Sequence, residues 1–536
     1  MKLKMYISRG RFVQNYHLTF PSHLVLIWRI RVIHCLTEYL DKMIFSKLIA
    51  TAITLLTYQA RAQLVAPAAV YTSSFNSSFA LTQAQIQAAE LESTLATSFE
   101  NVVKFDRSQL AFGGPRQDDF YTLPPLTNTS GPLKPGVILK VQPFTDPTAY
   151  SIPPNTALSR ILYTTTTYNG TVIPASGFVL WPYIPRVFSP KSKKASVVVW
   201  THGTSGWFVD QAPSSHRGMY YANTALFELA ELGYAVFAPD YAGLGISKSW
   251  DGSEIVHQYL TAPASAGDAL YGLRAALAAF PDQLEQENFV IFGHSQGGGV
   301  AWAAAELLSS SANQFRDLLK GYKGTIAASP TTDALAPITR QFLLPVISSG
   351  VKSIFPDFDL SDWLTPLAVK RVNLAKEVQA GISAFMQLVL TRPAADIIKP
   401  DFDTATPYAR LFGKSANPGR KKFQGPLLVL QGTEDVYVDY NTTAETVKDT
   451  LRRFPKLDLE FYVAQRVGHS PILHATKQYW TKWIEDRLSG KAVAKRGSVR
   501  TDIESFLPDS QYLKIGNSFL AWAGLPEFGY QVVLGL

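Results

Sequence analysis

Apolar residues fall in short runs along most of the chain, and the spacing of those runs predicts strands alternating with helices. Residues 196–200 and 234–238 are continuous apolar runs of strand length. Between them, residues 224–232 have a helical composition and stop at Gly233, the usual place for a C-terminal glycine. Residues 264–280 present an Ala/Leu face at helical spacing, and 288–292 follow as another buried strand. Segments 325–328, 427–431 and 457–464 extend the series. Upstream, 137–142 starts the sheet. Residues 158–167 and 172–181 alternate apolar and polar positions around Asn169-Gly170, the pattern of a β-hairpin. Continuous apolar strands separated by helices predict a mostly parallel sheet with helices on both faces.

Three stretches depart from this rhythm. Residues 63–135 form a leader, Ser/Thr/Ala-rich at first, then helical over 82–100, then Pro/Gly-rich. Between Pro330 and Gly425 no good strand occurs, only amphipathic helical stretches around 338–349 and 367–390. That interval is too long for an ordinary loop. It predicts a helical cap over 331–424, inserted into a core of 136–330 and 425–490 and lying over the carboxyl ends of the strands, where open α/β sheets bind ligands. The alternative is a structural insertion away from any site. The tail 491–536, with Phe519, Trp522, Phe528 and Tyr530, carries no readable motif. It packs across the cap entrance or covers a sheet face.

Composition changes the picture at the N-terminus. The 536 residues are 46% hydrophobic and 17% charged with no low-complexity block, so the chain can bury a large core. The formal charge of +8 suggests nucleic acid, but nine Lys/Arg against two Asp/Glu lie in residues 1–62. The rest is near neutral, and no basic stripe is left to hold phosphates. From Met43 the chain reads as a secretory signal: Lys47, an apolar run over 48–56, then Ala60-Arg61-Ala62. Translation from Met43, cleavage near Ala62 and secretion follow, with 1–42 an unstructured upstream extension. The other reading, a signal-anchor using 24–36, is interrupted by Arg29 and Arg31. The single cysteine, Cys35, precedes Met43, so the mature chain would form no disulfide and no metal-thiolate site. Sequons at Asn76, Asn128, Asn169 and Asn441 are candidate glycosylation sites.

Candidate chemistry centres on Gly293-His294-Ser295-Gln296-Gly297, set between the strand 288–292 and a strongly helical stretch to Leu308. A bare G-x-S-x-G is weak; placed between strand and helix it is the nucleophile elbow of an α/β-hydrolase fold. A serine hydroxyl needs a base, and the base an orienting acid, in the chain order Ser, Asp or Glu, His. Downstream of Ser295 only His469 and His474 remain. His469 follows the last strand in a loop, whereas His474 falls inside the next helix. After the strand 427–431 both Glu434 and Asp435 qualify by type, and the G-x-x-D spacing favours Asp435. Oxyanion donors are expected from the N–H of Gln296 and from the loop Trp200-Thr201-His202-Gly203-Thr204, with Thr204 first and Gly203 second. His202 precedes the serine and reads as a loop brace, Asp240 as a loop-fixing acceptor. His294 lines the pocket or merely packs. No G-x-G-x-x-G, phosphate loop or H-E-x-x-H occurs, so no cofactor or metal is implied.

Ser295, Asp435, His469, the 202–204 loop, Pro239-Asp240-Tyr241 and the insertion after Pro330 together resemble the fungal secretory lipase family, the lipase A-like α/β-hydrolases, over most of 120–488. The resemblance implies that 331–424 is a lid shaping an acyl-binding tunnel. It also implies a secreted, glycosylated lipase or carboxylesterase of lipid degradation, which meets an ester substrate at a transient lipid interface without an obligate protein partner. Some fungal members are deacetylases of secondary metabolites instead. The chain departs from relatives that carry cysteine where Gln211 stands and that use disulfides. An inactive binding protein and a peptidase are the rival readings. The first expects a missing triad member; the second lacks any amine-binding signature.

Overall fold

The computed structural model describes residues 78–126, 133–188, 192–312, 314–493 and 497–512. The chain divides into two units, Met1–Val70 and Tyr71–Leu536, and every described residue belongs to the second. The expected upstream extension and signal peptide, Asn76, Asn128 and the four tail aromatics lie outside the described residues.

Two leader helices, α1 (Gln83–Ala88) and α2 (Ser93–Ser108), precede the strands β1 (Ile138–Gln142), β2 (Ala157–Thr166), β3 (Val172–Trp181) and β4 (Ala195–Thr201). There follow α3 (Leu226–Glu231), β5 (Ala235–Pro239), α4 (Ala262–Ala279), β6 (Leu284–His294), α5 (Gln296–Leu308) and β7 (Tyr322–Ala328). Four helices separate β7 from the next strand: α6 (Pro337–Ile354), α7 (Pro366–Val378), α8 (Ile382–Leu390) and α9 (Tyr408–Ala416). The chain then runs through β8 (Leu427–Gly432), α10 (Tyr440–Arg453), β9 (Leu459–Ala464), α11 (Pro471–Ala475), α12 (Lys477–Leu488) and β10 (Ser498–Ile503).

The strands form one 10-stranded sheet in the order β1-β2-β3-β5-β4-β6-β7-β8-β9-β10. From β5 to β10 neighbours are parallel; the first four strands of that order pair antiparallel. This is the α/β-hydrolase fold, with helices on both faces. Period-two alternation divides each central strand between two cores. Val197 and Val199 of β4 and Ile291 of β6 join Leu270, Val300 and Trp302 on the face covered by α4 and α5. Val198, Trp200 and Phe292 join Leu229, Trp480 and Ile484 on the face covered by α3 and α12. Fully burying each such side chain contributes about 1.5–3 kcal/mol, which sets the sheet as the rigid base of the molecule. A third core lies in the insertion, where Ile347, Trp363, Phe385 and Phe412 pack with Phe99 and Val102 of α2.

Three expectations need correction. The helix read over 82–100 is two helices, broken at Glu90 with φ 50°. Arg371 of α7 donates there to the Ala89 and Glu90 carbonyls, at 3.4 and 3.3 Å. The stretch 367–390 is likewise two helices, parted at Gln379, whose φ of 59° ends α7. The tail carries no readable motif, yet β10 adds a parallel edge strand beside β9. No helix among the described residues is long and apolar enough to cross a membrane.

Candidate active site

The site is built at the carboxyl ends of β4, β6, β8 and β9. β6 ends at His294 and α5 starts at Gln296, so Ser295 alone makes the turn, with φ 61° and ψ −122°. Such a conformation costs a non-glycine residue on the order of 1–3 kcal/mol, and the surroundings hold it. Ser295 N donates to Ala328 O at 2.9 Å, and Thr331 N donates to Ser295 O at 3.1 Å. The flanking glycines are steric requirements. A Cβ at Gly293 would collide with Thr201 Oγ1 and the Gly297 carbonyl; one at Gly297 would collide with the Thr201 and His202 carbonyls. The loop after β4 is thereby pressed against the elbow. Ser295 itself keeps partial exposure.

Asp435 and His469 meet. His469 Nδ1 lies 2.8 Å from Asp435 Oδ2, with both residues buried. The remaining lone pairs of the carboxylate accept from Tyr437 N (3.0 Å), Val438 N (2.8 Å) and Gln431 Nε2 (3.2 Å). Burial by itself would raise the Asp435 pKa. The adjacent His469 and these hydrogen bonds outweigh it and hold the carboxyl below its ordinary value, so it is ionised. Glu434, the other candidate by type, is exposed. His474 lies in α11, and burial depresses its pKa.

The 202–204 loop supplies the candidate oxyanion donors. Gly203 lies close against the Tyr221 hydroxyl, so that a Cβ there would collide with it. Among the described residues no group accepts from the N–H of Thr204 or of Gln296. The Gln296 N–H opens α5, where a helix has no carbonyl of its own to offer. Thr204 Oγ1 lies 2.8 Å from Tyr259 Oη, and Gln296 Nε2 lies 3.1 Å from His257 Nε2.

The neighbouring histidines are braces by geometry. His202 Nδ1 lies 2.7 Å from the Gly203 carbonyl, and its ring stacks on Tyr241 at 4.2 Å. Burial pushes its pKa down to about 3 and keeps it neutral. Asp240 accepts from Ser176 Oγ (2.6 Å), Ser214 Oγ (2.5 Å) and Ser214 N (2.7 Å), the loop-fixing role read for it. His294 neither faces solvent nor packs passively. Its Nδ1 lies 2.8 Å from Tyr221 Oη and its Nε2 lies 2.9 Å from the His469 carbonyl. Tyr221, His257, Tyr259 and Gln431 carried no local signal in the sequence, because each reaches the site from another segment. Asn169 and Asn441 are both exposed; Asn169 Nδ2 donates to the Ile354 carbonyl at 3.1 Å. Among the described residues no group of three or more His, Cys, Asp or Glu is placed to hold a metal ion.

The chain belongs to the alpha/beta hydrolase family, whose profile matches residues 198–480, more than half of its length. Its fold is similar to that of Candida antarctica lipase A (TM-score 0.56, 18% identity, 74% of this chain and 90% of that one). It is also similar to the rice cell wall degrading esterase LipA from Xanthomonas oryzae (TM-score 0.51, 18% identity, 65% of this chain and 100% of that one). No curated protein matches the chain in sequence.

Proposed function

We propose that the chain is a serine carboxylester hydrolase working through Ser295, His469 and Asp435. The observation that carries this reading is the buried Asp435–His469 pair, 2.8 Å apart, with the His469 carbonyl bonded to the residue that precedes the strained Ser295. In this mechanism His469 Nε2 takes the Ser295 proton as Oγ attacks the ester carbonyl, and the carbonyl electron pair moves to oxygen. The Thr204 and Gln296 amides stabilise that oxyanion. Gly203 is the lesser candidate donor, because it is packed against the Tyr221 hydroxyl. Collapse of the intermediate expels the alcohol, which takes the proton from His469. Water, activated by the same imidazole, then releases the acid and restores the hydroxyl. Asp435 stays ionised and fixes the Nδ1–H tautomer. None of these steps needs a cofactor.

Within this class the chain is a lipase or esterase of the fungal secretory type, with 331–424 as its lid. Two contacts of the insertion with the 202–211 loop, and a third relayed through Tyr259, support that role. Trp207 packs on Phe385 of α8 at 4.8 Å, and Gln211 Nε2 donates to the Gln379 carbonyl at 2.9 Å. The third is indirect: Thr204 bonds Tyr259, whose backbone packs against Gly350 of α6. Secretion after cleavage near Ala62 and glycosylation belong to the same proposal, and mass spectrometry of the secreted chain would read both.

The test is direct. A serine-directed organophosphate is expected to label Ser295 alone, and Ser295→Ala to lower kcat on p-nitrophenyl esters by on the order of 10⁴–10⁶. Turnover surviving Ser295→Ala would end the proposal. Comparing p-nitrophenyl acetate with the palmitate separates the lipase from a metabolite deacetylase: strong preference for acetate would assign the second.

A further inference from the structure

His294 stands beside Ser295 and takes no part in the proton transfers of the proposed mechanism. Its two ring nitrogens are both engaged, and the chemistry of the partners fixes the proton. The His469 carbonyl can only accept, so His294 Nε2 carries the hydrogen and donates across 2.9 Å. In a neutral ring Nδ1 is then an acceptor, and the Tyr221 hydroxyl donates a hydrogen bond to it across 2.8 Å. The Tyr221 hydroxyl in turn lies close against the backbone of the 202–204 loop at Gly203. One proton arrangement satisfies both bonds, from Tyr221 through His294 to the backbone of His469.

Three further observations show that this series is built rather than incidental. Tyr221 is held edge-on by Trp200 at 5.2 Å, and Trp200 by Phe292 of β6. The segment presenting it carries positive φ at three non-glycine residues, Met219 (48°), Tyr220 (61°) and Ala222 (38°), a strain that must be offset by what the segment holds. Gly203 admits no side chain, since a Cβ there would collide with the Tyr221 hydroxyl. The His294 and His469 rings lie 4.6 Å apart with a 47° tilt. Burial, with His469 adding to it, lowers the His294 pKa to about 3. His294 therefore stays neutral and does not oppose the imidazolium that forms on its neighbour.

Asp435 fixes the rotation of the His469 ring through Nδ1. The loop just before it is tied by Arg466 N to Thr433 Oγ1 at 2.7 Å and by Glu434 N to the Val467 carbonyl at 3.1 Å. The His294 bond holds the backbone at His469 itself. We propose that His294 is a positioning residue, relayed by Tyr221 from the oxyanion loop, that anchors the His469 backbone and sets the distance of its ring from Ser295. This rests on the ester-hydrolase reading above. A displacement of about 1 Å at a reacting group can cost on the order of 10²-fold, so the anchor is worth a measurable part of the rate.

The test uses side-chain reach. In His294→Gln the amide nitrogen sits where Nε2 was and still donates to the His469 carbonyl. In His294→Asn the amide reaches only Tyr221, and in His294→Phe both bonds are lost. The Asn and Phe variants are expected to lose about 10- to 100-fold in kcat with KM within about twofold. They should also lose a similar factor in the rate of Ser295 labelling by an organophosphate, and the apparent pKa of kcat/KM should move. Gln should keep kcat within about threefold of the parent. Tyr221→Phe, which keeps the ring and loses only the hydroxyl, should cost about 3- to 10-fold in kcat and carries the test if the Phe variant does not fold. A merely structural role would lower Tm and leave the labelling rate of the folded protein unchanged. The proposal is overturned if Asn and Phe stay within about twofold of the parent in kcat, or if Gln falls as far as Phe. If instead Ser295→Ala retains turnover, the ester-hydrolase reading itself fails, and that result is independent of every His294 variant.

Discussion

At the scale of single residues, the neighbouring acids Glu434 and Asp435 show how one position decides a role. Both follow β8, yet the turn points Asp435 inward, where two backbone amides and Gln431 saturate its oxygens, and leaves Glu434 in solvent. An ionised, fully hydrogen-bonded carboxylate holds His469 in the tautomer whose Nε2 can accept a proton. Asp435→Asn reverses that tautomer. It is expected to lower kcat by on the order of 10⁴ with the fold intact, whereas Glu434→Gln should leave kcat within about twofold. Equal losses from both substitutions would show that the orienting acid is misassigned. The elbow motif and the chain order singled out Ser295, Asp435 and His469 as candidates, and the structure brings Asp435 and His469 together. His294, Tyr221 and the His257–Gln296 contact were not readable, since nothing in a linear pattern reports a bond between β6 and a loop 73 residues earlier.

At the scale of elements, continuous apolar runs located the strands from β4 to β9 to within a few residues, because a strand buried on both faces must be continuously apolar, while alternation around Asn169-Gly170 located the β2–β3 hairpin. What escaped them had a physical cause. β10 is an edge strand with alternating exposure and the sequence Ser498-Val499-Arg500-Thr501-Asp502-Ile503, too polar to read as a strand before its partner is known. The break between α1 and α2 lacks glycine or proline and is set by Arg371 from the insertion, a tertiary effect overriding local propensity. The first turn of α5 carries its own constraint. A Cβ at Gly298 would meet the Ala328 carbonyl at 2.5 Å and Pro330 Cα at 2.9 Å, so α5 lies directly on the end of β7. Backbone cannot move aside as a flexible side chain does. Gly298→Val is therefore expected to push α5 off the sheet, cost about 1–3 kcal/mol in a denaturant titration and displace Ser295, with kcat falling more than tenfold. A variant with unchanged midpoint and unchanged kcat would contradict this packing.

At the scale of the whole molecule, the buried titratable groups predict an unusual pH dependence of stability. Burial lowers the pKa of His202, His216 and His294 to about 3 and of His257 to about 4, from 6.5. A base with a depressed folded pKa contributes stability above its unfolded pKa and loses it as pH falls toward the folded one. These four therefore destabilise progressively from pH 6.5 downward. Burial raises Asp106, Asp268 and Glu306 to about 7, from 3.8, 3.8 and 4.5. For acids with raised folded pKa the sign is opposite: their contribution is complete at low pH and is lost as pH rises toward 7. Between about pH 5 and 6.5 the two sets nearly cancel, leaving a weak rise. Below about 4.5 the unfolded acids are protonated as well, their opposing slope fades, and the histidines drive a steep fall. Above 6.5 the histidine contribution ends while the acids still titrate, so stability declines slightly before levelling off. Thermal unfolding across pH 4–9 should thus show a broad maximum near 6 to 7. Glu306→Gln tests the cancellation, because the amide can still accept from Gly419 N while it removes one opposing term. It is expected to gain on the order of 2–3 kcal/mol relative to the parent between pH 5 and 7.5. An unchanged difference across that range would mean that Glu306 is ionised in the folded chain at both pH values.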